Sequence, residues 1–222
     1  MGAVIGEVLP LALGVAISPI PIIAAILMLL SPRARVTGVG FLLGWVVGIL
    51  VASTLFTLLS SSLTGGDDGP QPAVGVIQLV LGALLLLLAV RSWRGRPRDG
   101  EEPAMPAWMG AIDRFTLPRS LAFGFLMSAV NPKNLLLSAS AGLTIGSSAS
   151  DAATAGVAIA VFTALAASTV AIPVTGYLVA ADRMRGPLDS LRAWLATHNA
   201  LIMAVLLLVI GVSMIGKGLG QL

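Results

Sequence analysis

The sequence predicts an all-α integral membrane protein: six transmembrane helices in two inverted-topology three-helix repeats, with helices 1 and 4 broken. Three observations predict it. Of 222 residues, 57% are hydrophobic and 10% charged, whereas an ordinary soluble domain is roughly a quarter charged. The charges cluster between apolar runs that reach the roughly 20 residues needed to cross a hydrocarbon core of about 30 Å. Basic residues fall in alternate loops only. An outer-membrane barrel would alternate in polarity through segments of about ten residues, and Leu84-Leu85-Leu86-Leu87-Leu88 alternates with nothing.

Taken in order, the spans are expected at residues 4–30, 38–60, 73–92, 119–145, 152–180 and 198–217. The first carries Glu7 but no Lys or Arg before Arg33, so it lacks a basic n-region and is expected as a retained span. The second carries Gly40, Gly44 and Gly48, two successive G-x-x-x-G steps that predict close helix packing within or between chains and offer a homodimer a face. The third is the leucine run. Gly142 and Gly146 make a further small-residue step at the end of the fourth. His198 opens the sixth beside Thr197 and Asn199, as a cap neighbour. The whole chain, 1–222, is expected as a single transmembrane domain: repeat one 1–92, a cytoplasmic linker 93–118, and repeat two 119–222.

Eleven arginines fall on one side. Arg33 and Arg35 follow span one. Arg91, Arg94, Arg96, Arg98, Arg114 and Arg119 flank or fill the linker, and Arg183, Arg185 and Arg192 follow span five. The opposite loops, around Gly65-Gly66-Asp67-Asp68 and Gly146-Ser147-Ser148, hold no Lys or Arg. By the positive-inside rule the arginine side is cytoplasmic, and both termini face outward from the cytoplasmic (inner) membrane. The linker begins as an Arg-, Gly-, Pro- and acid-rich solvated stretch. Trp108, Met109, Ile112 and Phe115, and again Leu188, Leu191, Trp194 and Leu195, repeat at helical spacing and are expected as interfacial anchors.

Three spans followed by three, with both termini on one side, make the second half run opposite to the first. Weak self-similarity agrees. Leu11-Ala12-Leu13-Gly14 precedes Ser18-Pro19-Ile20-Pro21 in span one, and Leu121-Ala122-Phe123-Gly124 precedes Asn131-Pro132-Lys133-Asn134 in span four. Ala52-Ser53-Thr54 in span two recurs as Ala167-Ser168-Thr169 in span five.

The breaks are where chemistry is expected. A proline costs about 3 kcal/mol inside a helix, and in a bilayer each freed carbonyl must find another partner. Pro19 and Pro21 interrupt span one. Pro132 interrupts span four 13 residues after Arg119, roughly 20 Å along at 1.5 Å per residue. Paired interruptions in inverted halves mark a substrate site in transporters; plain proline kinks are the alternative. Lys133 is the only Lys or Arg deep inside a span, where it costs about 3 kcal/mol on insertion scales. With Asn131 and Asn134 it forms a polar cluster suited to an anionic ligand; a lysine snorkelling outward or neutralised in the core is the alternative. Secondary candidates are Glu7, solvated, paired with Lys133 or carrying protons, and the path-lining Ser168 and Thr169 beside Pro173, with Thr175 and Tyr177.

Several classes are excluded. With no cysteine, thiol chemistry and thiolate metal sites are absent. One histidine leaves a metal without ligands, and no cofactor is implied. There is no His-Glu-x-x-His, no intramembrane aspartate pair and no phosphate-binding Gly-rich loop, so the chain is not expected to be an enzyme. The net charge of +3 resides in short loops beside spans and indicates orientation, with no nucleic-acid partner.

Ser18-Pro19-Ile20-Pro21, Gly14 four residues before Ser18, Ser31-Pro32-Arg33, and Phe123-Gly124 leading to Asn131-Pro132-Lys133-Asn134 resemble the lysine-exporter (LysE) superfamily. Within it the chain is most similar to the actinobacterial GAP or Sap-like branch, the glycolipid and sulfolipid addressing proteins. The resemblance spans nearly the whole chain. It implies export: of amino acids, cations or other small solutes in one branch, and of cell-envelope glycolipids in the other. The acidic positions of metal-handling relatives and the cysteines of the thiol-disulfide branch are missing, which leaves a lipid or small organic solute. An accessory membrane subunit of a larger lipid-export complex is a rival. The residues expected to contact substrate are Ser18, Pro19, Pro21, Asn131, Pro132, Lys133 and Asn134, with membrane lipids as the surrounding partners.

Overall fold

The structure is a computed structural model and describes residues 1–64, 72–96 and 107–221. It is helical, with no strand among the described residues. Helix α1 (Gly2–Ala16) stops at Ile17, whose φ of −82° and ψ of 59° leave the helical region. Ser18 is extended and Pro19 opens α2 (Pro19–Leu30), a position where a missing N–H does no harm. The two axes meet at 53°. α2 ends at Ser31, held extended by the following Pro32. Helices α3 (Ala34–Thr64) and α4 (Pro72–Arg94) follow. Arg91 and Arg94 in the last turn of α4 complement its negative end.

A 3-10 helix, Ala107–Arg114, leads into α5 (Leu117–Phe125). The chain then makes a π turn at Leu126–Val130, leaves the helix at Asn131 (φ −58°, ψ 121°), and resumes as α6 (Pro132–Ser148). Asp151 caps α7, Ala152–Leu219, by accepting from the Thr154 N–H at 2.7 Å. At 68 residues, α7 would run about 100 Å at 1.5 Å per residue. It is two helices joined at Ala180, whose φ of −142° and ψ of 56° are not helical.

Three helices are long and apolar enough to cross a membrane, and four if α1 and α2 form one span. Leu55, Leu58, Ile172 and Val209 cover the exterior with exposed apolar side chains. The chain is membrane-embedded. Six crossings require α7 to cross on both sides of Ala180 and the α5–α6 pair to cross once.

Between the expected spans five and six the chain stays helical through 181–197, extending the helical spacing read for Leu188 to Leu195. Its apolar spacing buries Leu188 and Leu195, and Asp189 pairs with Arg192 at 2.9 Å on the outer face. One proline, Pro187, does not outweigh that burial. Leu191 and Trp194 stay exposed, as interfacial anchors would. Ile112 of the 3-10 helix is buried, and Phe115 meets Phe123 edge-on at 5.5 Å. The Gly65-Gly66-Asp67-Asp68 loop, the first half of the linker and the Trp108 side chain lie outside the described residues.

The core is built around Phe41, Trp45 and Phe162. α3 packs on α5 and α6, and α7 packs on α1, α2 and α4. The glycine steps work inside the chain. A Cβ on Gly44 would strike the Leu121 backbone, and one on Gly124 the Phe41 backbone; Gly142 and Gly146 meet Ser53, Thr57 and Ser60. These glycine faces are taken up by helices of the same chain. α4 and α7 also come close at Gly75 with Gly218 and Gly82 with Gly211, though less tightly.

Candidate functional site

The π turn prepares the site. In it the Asn131 N–H reaches back five residues to the Leu126 carbonyl at 3.0 Å. The next donor in that series is Pro132, which has none, so the Met127 carbonyl is orphaned. Asn134 Nδ2 donates to it at 2.9 Å. Asn131 Oδ1 accepts from the Lys133 N–H at 3.1 Å and caps α6.

The first break is orphaned in the same way. Pro21, four residues beyond Ile17, cannot donate to the Ile17 carbonyl. Lys133 Nζ donates to it at 3.4 Å and, more closely, to Ser18 Oγ at 2.6 Å. The Ser18 hydroxyl donates in turn to Asn134 Oδ1 at 3.0 Å. Thr169 Oγ1, from α7, donates to the Ala16 carbonyl at 2.6 Å. One hydrogen-bonded chain, Lys133 to Ser18 to Asn134 to Met127, therefore ties both breaks together.

Its members are buried: Ser18 is 2% exposed, Asn134 1% and Lys133 8%. They border a cavity of about 240 Å³. Pro19, Pro21, Asn131 and Pro132 share its wall with Leu88 and Ser92 of α4 and with Asn199, Met203 and Leu207 of α7. Neither ion pair among the described residues includes Lys133; they are Arg192–Asp189 and Lys217–Glu7. An ammonium has three donors, and two acceptors are in place, which leaves one donor free at the edge of the cavity that Lys133 lines. The first turns of α2 and α6 also border it, and their positive ends favour negative charge. The Asn199 carbonyl oxygen there is buried without a partner. The arrangement can receive an anionic group and one hydrogen-bond donor.

All seven residues expected to contact substrate thus converge. Of the secondary set, Thr169 reaches the first break, while Ser168 bonds the Leu165 carbonyl of its own helix at 2.7 Å. Pro173 is buried in α7 away from this cavity, and Thr175 bonds its own helix. Glu7 pairs with Lys217 at 3.1 Å near the surface and not with Lys133. Ser92, Met203 and Leu207 were not expected here. The signal for the α7 wall is the four-residue spacing of Asn199, Met203 and Leu207, which puts them on one face.

A family model described as Sap, sulfolipid-1-addressing protein, matches residues 8–220. The chain belongs to this family. The match takes in both breaks, the cavity between them and all of α7, so the Sap family assignment rests on the region that carries the site. No curated protein and no solved structure matches the chain.

Proposed function

We propose that the chain is a secondary exporter of the LysE superfamily that moves a lipid or glycolipid, or another anionic amphipathic molecule, across the cytoplasmic membrane by alternating access at the facing breaks. The observation that carries this is the buried Lys133 ammonium, without a carboxylate partner among the described residues, in a cavity where two broken helices meet. A buried unpaired charge costs several kcal/mol; an anionic head group supplies the missing partner. The family's name refers to a sulfolipid, whose sulfate is such a group.

Two apolar grooves beside the cavity favour an amphipathic substrate over an amino acid. One, of about 330 Å³, lies between Ala89, Trp93 and Leu208; the other, of about 440 Å³, runs from Pro10 to Ile17 against α7. The cavity itself includes Ser92, beside Arg91 and Arg94, so it leans toward the arginine-rich end, which we take as cytoplasmic. The Glu7–Lys217 pair joins α1 to α7 at the other end, where both termini lie outside. That state suits loading from the cytoplasm. In this reading the chain crosses six times, with α1–α2, α3 and α4 duplicated as α5–α6 and the two parts of α7. The exchange of contacts, α3 on α5 and α6 and α7 on α1 and α2, supports the inverted repeat. The chain performs no reaction and takes no cofactor.

The test is movement of a labelled sulfated glycolipid between leaflets of proteoliposomes. Lys133→Ala is expected to abolish it while the protein still elutes as a folded species; wild-type rates in that variant sink the proposal. Counterflow of amino acids, with no lipid movement, points to a small-solute exporter. Activity only in the presence of a copurifying larger partner points to an accessory subunit.

A further inference from the structure

A second cavity, of about 480 Å³, opens at the arginine-rich end between the α2–α3 turn and α7. It shares no residue with the Lys133 cavity. Arg33 and Arg35 line it from the turn, and Tyr177 and Arg185 line it from α7, on either side of the non-helical Ala180. The turn is a firm base. Ser31 Oγ and Thr37 Oγ1 both donate to the Met28 carbonyl, at 2.8 and 3.3 Å, and Thr37 Oγ1 also reaches the Arg33 carbonyl at 3.1 Å.

Arg33, Arg35 and Arg185 enter neither ion pair among the described residues. Asp182, the nearest acid along α7, is exposed and enters neither as well. The positive-inside rule asks only that arginines lie on this side, not that three converge on one concavity with a buried tyrosine. The α3 N-terminus adds partial positive charge. Guanidinium forks match phosphate oxygens two at a time.

Beside the three guanidinium groups, Ser31 and Tyr177, the wall carries the apolar Pro32, Ala34, Val36 and Ala181. A phospholipid presents a phosphate directly above hydrocarbon, which matches guanidinium groups set among apolar side chains at a membrane surface. We infer that this cavity binds the head group of one anionic phospholipid, bridging the α2–α3 turn to α7. The inference rests on the membrane-embedded reading and not on transport.

The experiment is native mass spectrometry of the full chain released from nanodiscs of phosphatidylcholine with a minor fraction of phosphatidylglycerol. Both leaflets are alike there, so orientation does not enter. Wild type is expected to retain one phosphatidylglycerol in preference to phosphatidylcholine. Arg33→Gln/Arg35→Gln/Arg185→Gln is expected to hold it roughly tenfold or more weakly, since each charge-assisted contact carries about a decade of affinity. Arg91→Gln/Arg94→Gln/Arg114→Gln, which removes the same charge elsewhere, keeps it, as does Lys133→Ala. Single Arg185→Gln, with a partial loss, covers the case in which the triple variant does not fold. Equal losses in both triple variants, or no preference in wild type, overturn the assignment. Displacement by excess inorganic phosphate from a wild type that shows no lipid preference makes it a soluble-anion site and also overturns it. Retention that appears only after Asp99, Glu101 and Glu102 are neutralised gives the cavity to the linker and overturns the assignment too.

Discussion

The break between α1 and α2 takes its side-chain hydrogen-bond donors from elsewhere in the chain, whereas the break between α5 and α6 supplies its own. At the first, the Ile17 carbonyl waits for Lys133 of α6, Thr169 of α7 adds a bond to the Ala16 carbonyl that the Ser18 N–H already reaches at 2.9 Å, and Ser18 caps nothing with its side chain. At the second, Asn131 and Asn134 satisfy a backbone group each, within seven residues of where it arises. The first break is thus a receiver and the second a donor. The two interruptions play different roles: Asn-Pro-Lys-Asn carries the polar side chains that reach across, and Ser-Pro-Ile-Pro carries a bend that receives them. The cavity lies where they meet, so the polarity of the second half stabilises the geometry of the first.

Three perturbations sharpen this comparison, from the largest effect down. Asn134→Leu strikes both breaks, leaving the Met127 carbonyl without a donor and Ser18 without an acceptor. A buried group left unmade costs about 1–3 kcal/mol. The loss should appear in denaturant unfolding in detergent, and a double-mutant cycle with Ser18→Ala should show coupling of about 0.5–3 kcal/mol. Strict additivity would separate the two breaks. Thr169→Val touches only the first break. Interhelical bonds of this kind average about 0.6 kcal/mol in membrane proteins, so a small fall in unfolding temperature is expected. A loss as large as that of Asn134→Leu would make Thr169, not the second break, the main support of the first.

The smallest effect is electrostatic and lies outside both breaks. At the exposed start of α7 the Thr154 N–H, with help from the Ser150 and Thr154 hydroxyls, holds the Asp151 carboxyl below its ordinary value. A carboxylate whose folded pKa is depressed stabilises at neutral pH, and that contribution fades as pH falls through the lowered value. Amide exchange at Thr154, corrected for intrinsic rates, should therefore accelerate only below the usual carboxylate range. In Asp151→Asn the acceleration should vanish; a pH-independent wild type would deny the carboxylate its role as a cap.

Much of this was legible in the chain itself. Pro19, Pro21 and Pro132 announced the interruptions, and a lone lysine in an apolar span announced the candidate site, because a proline break and a charge both carry large penalties in hydrocarbon. What was illegible depends on distance. No local pattern states that Lys133 reaches Ser18, 115 residues away, or that Glu7 finds Lys217, 210 residues away. Helical spacing was legible from Leu188 to Leu195, but the helix through 181–187 was not, because Gly186-Pro187 and the charges around it argue, in sequence, for a loop. The glycine steps predicted close packing, but which helix they faced was a tertiary matter.

The dependence of the first break on later residues also has a meaning in time. The acceptor at Ile17 lies 116 residues ahead of its lysine, and that at Ala16 lies 153 ahead of its threonine. Synthesis at roughly 5–20 residues per second spaces these events by about 6 to 30 s. Throughout that interval the Ala16 carbonyl has only the Ser18 N–H, and α1 ends in an Ile17 carbonyl that hydrocarbon cannot satisfy. It must wait beside water or within the insertion machinery until α6 and α7 arrive, so the bend that is synthesised first is completed last.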